Sequence, residues 1–389
     1  MPRNWTPTTP RRCDGCSLTC FPPNRRRPRI PPIADPLESG APVDAAWAWG
    51  GPVGTGRIRC SPEDFRVVEE LGYAPDGSGE HLFVEIEKRG ENTLDVAAEL
   101  ARRAGIRPRD VGFAGLKDRN AVTRQYFSLH LPGREDPPVE QWQRPGIEVL
   151  STKRHSRKIQ RGRLRGNRFE LVVRELEAER EALEDRLGKV ARHGVPNRFG
   201  EQRFGGNNVA RAYRLFRGEL RRAPSKRKRG FYLSAARSLI FNRLLDVRIA
   251  EGTWNRAMDG EIVMLDGTRS TFAAEAGDPD IRRRVAEQDL HPTGPLVGEG
   301  GEAPTDEAGR LEAKVIEAHS ELAEGLRRFR LSADRRPLRM RVLDLEWRFE
   351  SDDVLVLSFA LRSGCYATTV LRELVEYTEG SERDETPEE

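Results

Sequence analysis

The stretch DFRVVEE, residues 64–70, alternates apolar and polar side chains with the period of two that an extended strand has. Phe65, Val67 and Glu69 therefore lie on one face of a predicted strand. A carboxylate on an otherwise apolar face is unusual. Glu69 either sits at the rim of the core on an edge strand or orients a cationic site residue such as Lys117, and the pattern allows both.

The sequence around this strand predicts a domain in which strands alternate with short helices. Residues 82–87 have the pattern of a strand, and residues 93–104 have that of a helix. Thr93 is a candidate N-cap of this helix, and Gly105 is a candidate C-terminal stop. A later strand over residues 169–173 places alternate apolar side chains on one face.

The second half of the chain begins with helices and then returns to strands. Helical spacing of apolar residues runs through residues 177–193, 234–250 and 311–329, and strand patterns follow at residues 343–349 and 354–361. A helix-rich segment therefore interrupts a strand-rich domain. The sequence predicts an α+β fold.

Charge is separated along the chain although the net charge of 389 residues is only +4, from 66 Lys and Arg against 62 Asp and Glu. Cations concentrate in residues 154–168 and 217–229, while acids collect after residue 299 and in the tail from residue 373. Such separation favours a surface that meets phosphate. For residues 217–229, a solvated loop is the alternative.

The first 56 residues are rich in Pro, Arg and Gly, and they lack periodicity, which predicts a disordered leader. Cys13, Cys16 and Cys20 lie in this leader, but no nearby His or Cys completes the four ligands of a structural zinc site. The sequence contains no apolar run of membrane-spanning length and no apolar signal-peptide segment. We therefore expect a cytoplasmic monomer with no membrane association, and nothing in the sequence implies a protein partner.

The segment GFAGLKD, residues 112–118, sets one carboxylate inside a Gly-rich turn between cations. Lys117, Arg119 and Arg124 are expected to favour an ionised Asp118 and to hold anionic ligands nearby. A phosphate loop is rejected because it requires Gly-Lys followed by Ser or Thr, and residues 116–118 are Leu, Lys and Asp. The structural alternative is an Asp that caps a turn.

Two further segments carry groups that suit a base taken out of its stack. Asn167 offers edge hydrogen bonds and Phe169 a stacking face, after the cations of residues 162–168. Tyr366 offers a second stacking face. The alternatives are a turn Asn and core aromatic rings.

Taken in order, these stretches resemble the TruD family of transfer RNA pseudouridine synthases over about residues 57–377. Beside the alternation of Phe65, Val67 and Glu69, the resemblance rests on residues 114–119 (AGLKDR), 121–125 (AVTRQ), 166–169 (GNRF), 197–205 (NRFGEQRFG), 234–242 (SAARSLIFN), 292–295 (PTGP) and 364–373 (GCYATTVLRE). Each block alone is weak, but the ordered set is highly specific.

The resemblance implies a pseudouridine synthase catalytic domain with a mixed, largely antiparallel sheet, interrupted by an inserted helix-rich TRUD domain. The expected boundaries are 57–196 and 338–378 for the two parts of the catalytic domain, 197–337 for the insert, and 379–389 for an acidic tail. In this resemblance Asp118 matches the catalytic aspartate. The expected substrate-binding residues are Phe65, Glu69, Lys117, Arg119, Asn167, Phe169 and Tyr366.

The implied reaction converts uridine to pseudouridine, with uridine 13 of certain tRNAs as the family's target. This isomerisation conserves the atoms of the nucleotide, so no redox cofactor or metal is expected. A catalytically silent RNA-binding or chaperone protein on the same scaffold is the first alternative. An N-glycoside hydrolase is the second, and it would normally need another carboxylate to activate water, for which Glu69 is the candidate.

Overall fold

The computed structural model describes residues 46–380, so the three leader cysteines and the end of the acidic tail lie outside the described residues. Residues 46–53, which the sequence assigns to the leader, pack against the rest of the protein. The Trp49 ring meets the Trp254 ring edge-on at 5.6 Å, and the Ala46 main-chain N–H donates to Asp246. The ordered chain thus extends at least about ten residues before the predicted boundary, because the small and aromatic residues of this segment bury apolar surface.

The first part of the chain forms eight strands and two helices. These are β1 Gly54–Ile58, β2 Phe65–Glu70, β3 His81–Arg89, α1 Thr93–Arg103, β4 Val111–Phe113, β5 Val122–His130, β6 Ile147–His155, β7 Gly166–Ala178, α2 Arg180–His193 and β8 Val195–Pro196.

The remaining elements form an inserted region and the return to the main sheet. The insert contains α3 Asn208–Phe216, α4 Lys226–Ala250, β9 Glu261–Leu265, β10 Thr271–Ala274, α5 Pro279–Ala286, β11 Leu290–Leu296, α6 Asp306–Ala318, α7 Ser320–Arg328 and β12 Asp334–Pro337. The chain then continues through β13 Arg339–Met340, β14 Leu343–Ser351, β15 Val354–Arg362, α8 Ala367–Arg372 and β16 Glu376–Glu379.

The main sheet follows the strand order β14-β15-β7-β2-β5-β3-β6, with β4 beside β5 and with β1 between β7 and β16. Only the β2–β5 and β1–β16 pairs are parallel among the ladders of the described residues. The sheet is therefore mixed and largely antiparallel, as expected. Residues 62–64, 108–110, 139–142 and 201–203 form short 3-10 turns.

Two apolar cores cover different parts of this sheet. The first core lies between β2, β7 and β15 and the helices α2 and α8, and it contains Phe65, Val67, Phe169, Leu171, Leu183, Leu187, Leu357 and Leu371. The second core lies between α1 and β3 to β6, and it contains Leu82, Val84, Ile86, Val96, Leu100, Phe127 and Leu129. The predicted common face of Phe65, Val67 and Glu69 is correct, since all three are buried.

The insert is helical, as predicted, but it also contains an antiparallel sheet of order β10-β9-β11-β12 that the sequence did not predict. Two of its strands lack strand-like sequences, because β11 includes Pro292 and Pro295 and β12 reads DRRP. The helical repeat of residues 311–329, in the insert, is also not one helix. It breaks at His319 into α6 and α7.

The two connections to the insert lie side by side. Strands β8 and β13 pair through Val195 with Met340 and Pro196 with Arg339, and the Asn197 N–H donates to the Leu338 carbonyl at 2.7 Å. The chain thus leaves the main sheet and returns to it at one place. None of the helices within residues 46–380 is long and apolar enough to cross a membrane.

Candidate active site

The loop of residues 114–121, here called the Asp118 loop, joins β4 to β5 and is fixed by three buried side chains. Gln125 donates to the Gly115 carbonyl at 3.3 Å, and the Lys117 main-chain N–H donates to the Thr93 hydroxyl at 3.0 Å. Lys88 donates from Nζ to the Asp118 carbonyl at 2.9 Å. The main chain on both sides of the Asp118 carboxylate is therefore held in place.

Two of these anchoring side chains, Lys88 and Gln125, lie on strand faces whose apolar residues are packed in the core. On β3, the apolar series of residues 82, 84 and 86 continues with Lys88, which is fully buried. On β5, Gln125 precedes Phe127 on the same face, and its side-chain oxygen accepts a bond from Thr93 at 2.9 Å. Asn92, not Thr93, is the N-cap of α1, so the Thr93 side chain is available to the loop.

A second polar group lies where the first core ends. Lys117 donates to the Glu69 carboxylate at 2.9 Å and to the Asn167 side-chain oxygen at 2.8 Å. The Glu69 side chain is fully buried, and that of Lys117 is 7% exposed. Glu69 also accepts from the Tyr126 main-chain N–H at 3.3 Å. Of the two interpretations of Glu69, the structure thus favours the orienting partner of Lys117.

The Asp118 carboxylate forms its ion pair with Arg59. The Arg59 Nη2 to Asp118 Oδ2 distance is 2.7 Å, and the two side chains are 9% and 49% exposed. Arg59 also pairs with Glu379 of β16 at 2.8 Å, and its guanidinium lies 4.2 Å from the centre of the Phe65 ring. One buried cation thus orients a half-exposed carboxylate.

The cations that the sequence placed around the Asp118 carboxylate have other partners. Lys117 turns inward to Glu69, as described above. Arg119 donates to the Gly90 carbonyl at 3.1 Å, and Arg124 pairs with Glu87 at 2.6 Å. The partners of all three cations thus differ from the Asp118 carboxylate, because sequence neighbours in an extended loop or strand point in different directions.

Lys88 carries a perturbed charge next to this loop. Its pKa is lowered from the ordinary 10.5 to about 8, chiefly by burial and in part by the positive charge of Lys117. The negative charges of Asp118 and Glu91 act in the opposite direction. Lys88 also donates to the Glu91 carbonyl at 2.7 Å, so the amine bridges two loop segments.

The predicted stacking residues occupy two different places. Phe169 is buried, meets Phe65 edge-on at 6.3 Å and stacks on Phe359 at 5.5 Å, so in this structure its ring belongs to the first core. Tyr366 is half-buried, and its hydroxyl accepts from Arg203 of the insert at 3.3 Å. Tyr366 therefore lies where the main sheet meets the insert.

Arg59, Lys88, Thr93 and Gln125 were not predicted as site residues. Lys88 had a usable signal, because it ends an apolar alternation in the same way as Glu69 ends the one on β2. Arg59 had none, since both of its ion pairs are with residues far away in the chain, 59 and 320 positions on. Among the described residues, no cluster of three or more His, Cys, Asp or Glu could hold a metal ion.

Comparison with known proteins agrees with this architecture. A protein from Methanosarcina mazei assigned as tRNA pseudouridine synthase D (TruD), whose crystal structure is known, has a TM-score of 0.67 at 23% identity. The match covers 85% of this chain and 95% of that one, and it shows the shared fold.

Sequence relatives are closer. The tRNA pseudouridine synthase D of Methylococcus capsulatus is 48% identical over 324 residues, which is 83% of this chain and 91% of the relative. That of Hydrogenovibrio crunogenus is 44% identical over 333 residues, 85% of this chain and 96% of the relative. The sequence profile described as tRNA pseudouridine synthase D (TruD) matches residues 46–226 and 208–374.

The fold and these relatives define the chain as an enzyme of the isomerase class, a pseudouridine synthase. Within that class, it belongs to the tRNA pseudouridine synthase D (TruD) family.

Proposed function

We propose that this enzyme converts uridine 13 of certain tRNAs to pseudouridine, with the Asp118 carboxylate as nucleophile. The observation that carries the proposal is the contrast within the Asp118 loop. The three side chains that fix the loop, those of Lys88, Thr93 and Gln125, are buried, while the Asp118 carboxylate is 49% exposed and aligned by Arg59. Such a group is rigidly held and still reachable by a substrate, which is what a nucleophile requires.

The reaction breaks the N1–C1′ bond, turns the uracil and joins C5 to C1′. The proton on C5 leaves and N1 gains one, so the nucleotide changes in connectivity and not in composition. Asp118 either attacks C1′, assists through a glycal or first attacks the base. In each case the Arg59 guanidinium holds one carboxylate oxygen and leaves the other to react.

The other predicted residues have supporting roles in this proposal. Lys117, which donates to both Glu69 and Asn167, forms with Asn167 the polar edge that receives the uracil. Arg119 contacts the neighbouring backbone of the RNA. Phe65 and Phe169 close the pocket from the apolar side. Tyr366 stacks on the base, which keeps water away from the reacting carbon.

An N-glycoside hydrolase is a weaker interpretation. Its second carboxylate would have to activate water, and Glu69 is the candidate. Both Glu69 oxygens already accept hydrogen bonds, from Lys117 and from the Tyr126 main chain, and the side chain is fully buried. A fully paired carboxylate without access to water is poorly placed to act as a general base.

The test incubates purified protein with unmodified tRNA and maps pseudouridine by carbodiimide-dependent primer extension, for wild type and for Asp118→Asn. We expect a stop at position 13 with wild type and none with the variant, while tRNA binding is retained. A stop of equal strength with Asp118→Asn would exclude Asp118 as nucleophile. Absence of stops with both proteins would favour a silent RNA-binding protein, and release of free uracil would favour the hydrolase.

A further inference from the structure

Tyr73 presents one of the few exposed aromatic rings among the described residues. It follows β2 in the chain and is 42% exposed. Its ring stacks on His155 with centroids 5.3 Å apart and planes at 29°, and it meets Phe83 edge-on at 6.5 Å. His155 and Phe83 are both buried. The Tyr73 ring is thus supported from the protein side and open on the other.

The turn that carries Tyr73 is fixed at both ends. At the first end, the Arg165 N–H donates to the Glu70 carbonyl at 2.8 Å. At the other end, the Asp76 carboxylate accepts from the main chain and from the hydroxyl of Ser156, at 3.0 and 2.6 Å. Both anchors belong to the segment that joins β6 to β7. The ring is therefore held in place before any partner arrives.

This same segment supplies positive charge and connects the ring to the Asp118 loop. Residues 153–165, which comprise the end of β6 and this segment, contain seven Lys and Arg and no acid, and Lys153, Arg157, Arg163 and Arg165 are exposed. The Gly162 N–H donates to the Ala114 carbonyl of the Asp118 loop at 2.8 Å. Burial and the charge of Glu69 raise the pKa of the Tyr73 phenol, and Arg163 opposes them.

We propose that Tyr73 is a stacking platform for an unpaired RNA base beside the target nucleotide, and that the exposed cations of residues 153–165 hold the adjoining phosphates. A rigid, supported ring surrounded by cations fits single-stranded RNA, because every base has a flat face and every nucleotide a negative charge. This inference rests on the proposed function and extends it to a second contact with the RNA.

The principal test measures tRNA binding in the Asp118→Asn background, so that the result does not depend on turnover. Tyr73→Ala should weaken binding about tenfold, as expected for loss of one base stack, while Tyr73→Phe should bind like the parent because it keeps the ring. Phe272→Ala removes a comparably exposed ring from β10 in the insert and serves as the matched control. The proposal would be overturned if Tyr73→Ala bound tRNA as tightly as the Asp118→Asn parent, or if Tyr73→Phe weakened tRNA binding as much as Tyr73→Ala does.

Two further measurements separate stacking from misfolding and from a failure of the proposed function. In the enzyme with Asp118 intact, Tyr73→Ala should raise KM with little change in kcat. In a Tyr73→Trp variant, added tRNA should quench indole emission beyond the quenching seen with Tyr73 present, because a stacked base quenches the indole. Unchanged emission from a folded Tyr73→Trp variant would overturn the platform even if no pseudouridine forms.

Discussion

Arg59 and Asp118 lie 2.7 Å apart, between Nη2 and Oδ2, although 59 positions separate them in the chain. Arg59 follows β1, which pairs on one side with β7 and on the other with β16. Its guanidinium is shared with Glu379, so the first and last strands of the main sheet together set the position of one cation. The orientation of the proposed nucleophile thus depends on the pairing of β1 with β16.

Arg59→Gln should lower kcat about 100-fold, the order seen when one electrostatic contact at a reacting group is removed, with a smaller effect on KM. Tritium release from the C5 position of uridine in labelled tRNA measures both constants. Arg59→Lys keeps the charge and should recover part of the loss. Equal kcat for Arg59→Gln and wild type would contradict an orienting role.

Glu69→Gln should reduce the free energy of unfolding by about 3 kcal/mol, because the buried Lys117 ammonium loses its counter-charge. Urea denaturation measures this loss. The double variant Glu69→Gln with Lys117→Met removes both charges and should regain stability, but it should not regain activity. A single Glu69→Gln variant as stable as wild type would contradict the importance of the pair.

Lys88 should leave a signature in the pH dependence of stability. Its folded pKa of about 8 lies below the ordinary 10.5, so between these pH values the unfolded chain binds more protons than the folded one. The free-energy cost of burying the charged ammonium is present below pH 8 and is relieved as pH rises from 8 to 10.5. Relative to Lys88→Met, the free energy of unfolding of wild type should therefore increase by about 3 kcal/mol across this range.

Urea denaturation of wild type and Lys88→Met at several pH values tests this increase. Groups that titrate equally in wild type and in Lys88→Met cancel when the two free energies of unfolding are subtracted, so the difference reports on Lys88. A difference that stays constant from pH 8 to pH 10.5 would mean that Lys88 is not the titrating group.

The cations at the start of α4 and before it should contribute to the salt dependence of tRNA binding. Arg221, Arg222, Lys226 and Lys228 are exposed. Replacing all four with Gln should reduce the slope of log K against log salt by up to about 3, if each meets a phosphate. Arg221→Lys with Arg222→Lys keeps the charge and should keep the slope. An unchanged slope in the Gln variant would place this cluster outside the RNA surface.

Local patterns determined much of the secondary structure. Alternation located β2, β3, β7 and β14, and helical spacing located α1 and α2, because burial of one face imposes a period on the sequence. An apolar run located β15. The predicted start of α4 at residue 234 was late. Residues 226–231 are all exposed and carry no apolar period, and the cap is the Ser225 hydroxyl, which accepts from the Lys228 N–H at 3.3 Å.

The sequence by itself determined the α+β fold and the family, since these depend on periodicity and on ordered motifs, and it predicted the Asp118 segment as the candidate site. It also suggested the pairing of Glu69 with Lys117, because a charge on an apolar face needs a partner. Only the tertiary structure decided that Arg59, and not a neighbouring cation, aligns Asp118, and that Phe169 is packed in the core. Both depend on which strands lie side by side and on where each loop side chain points, and neither is encoded in local spacing.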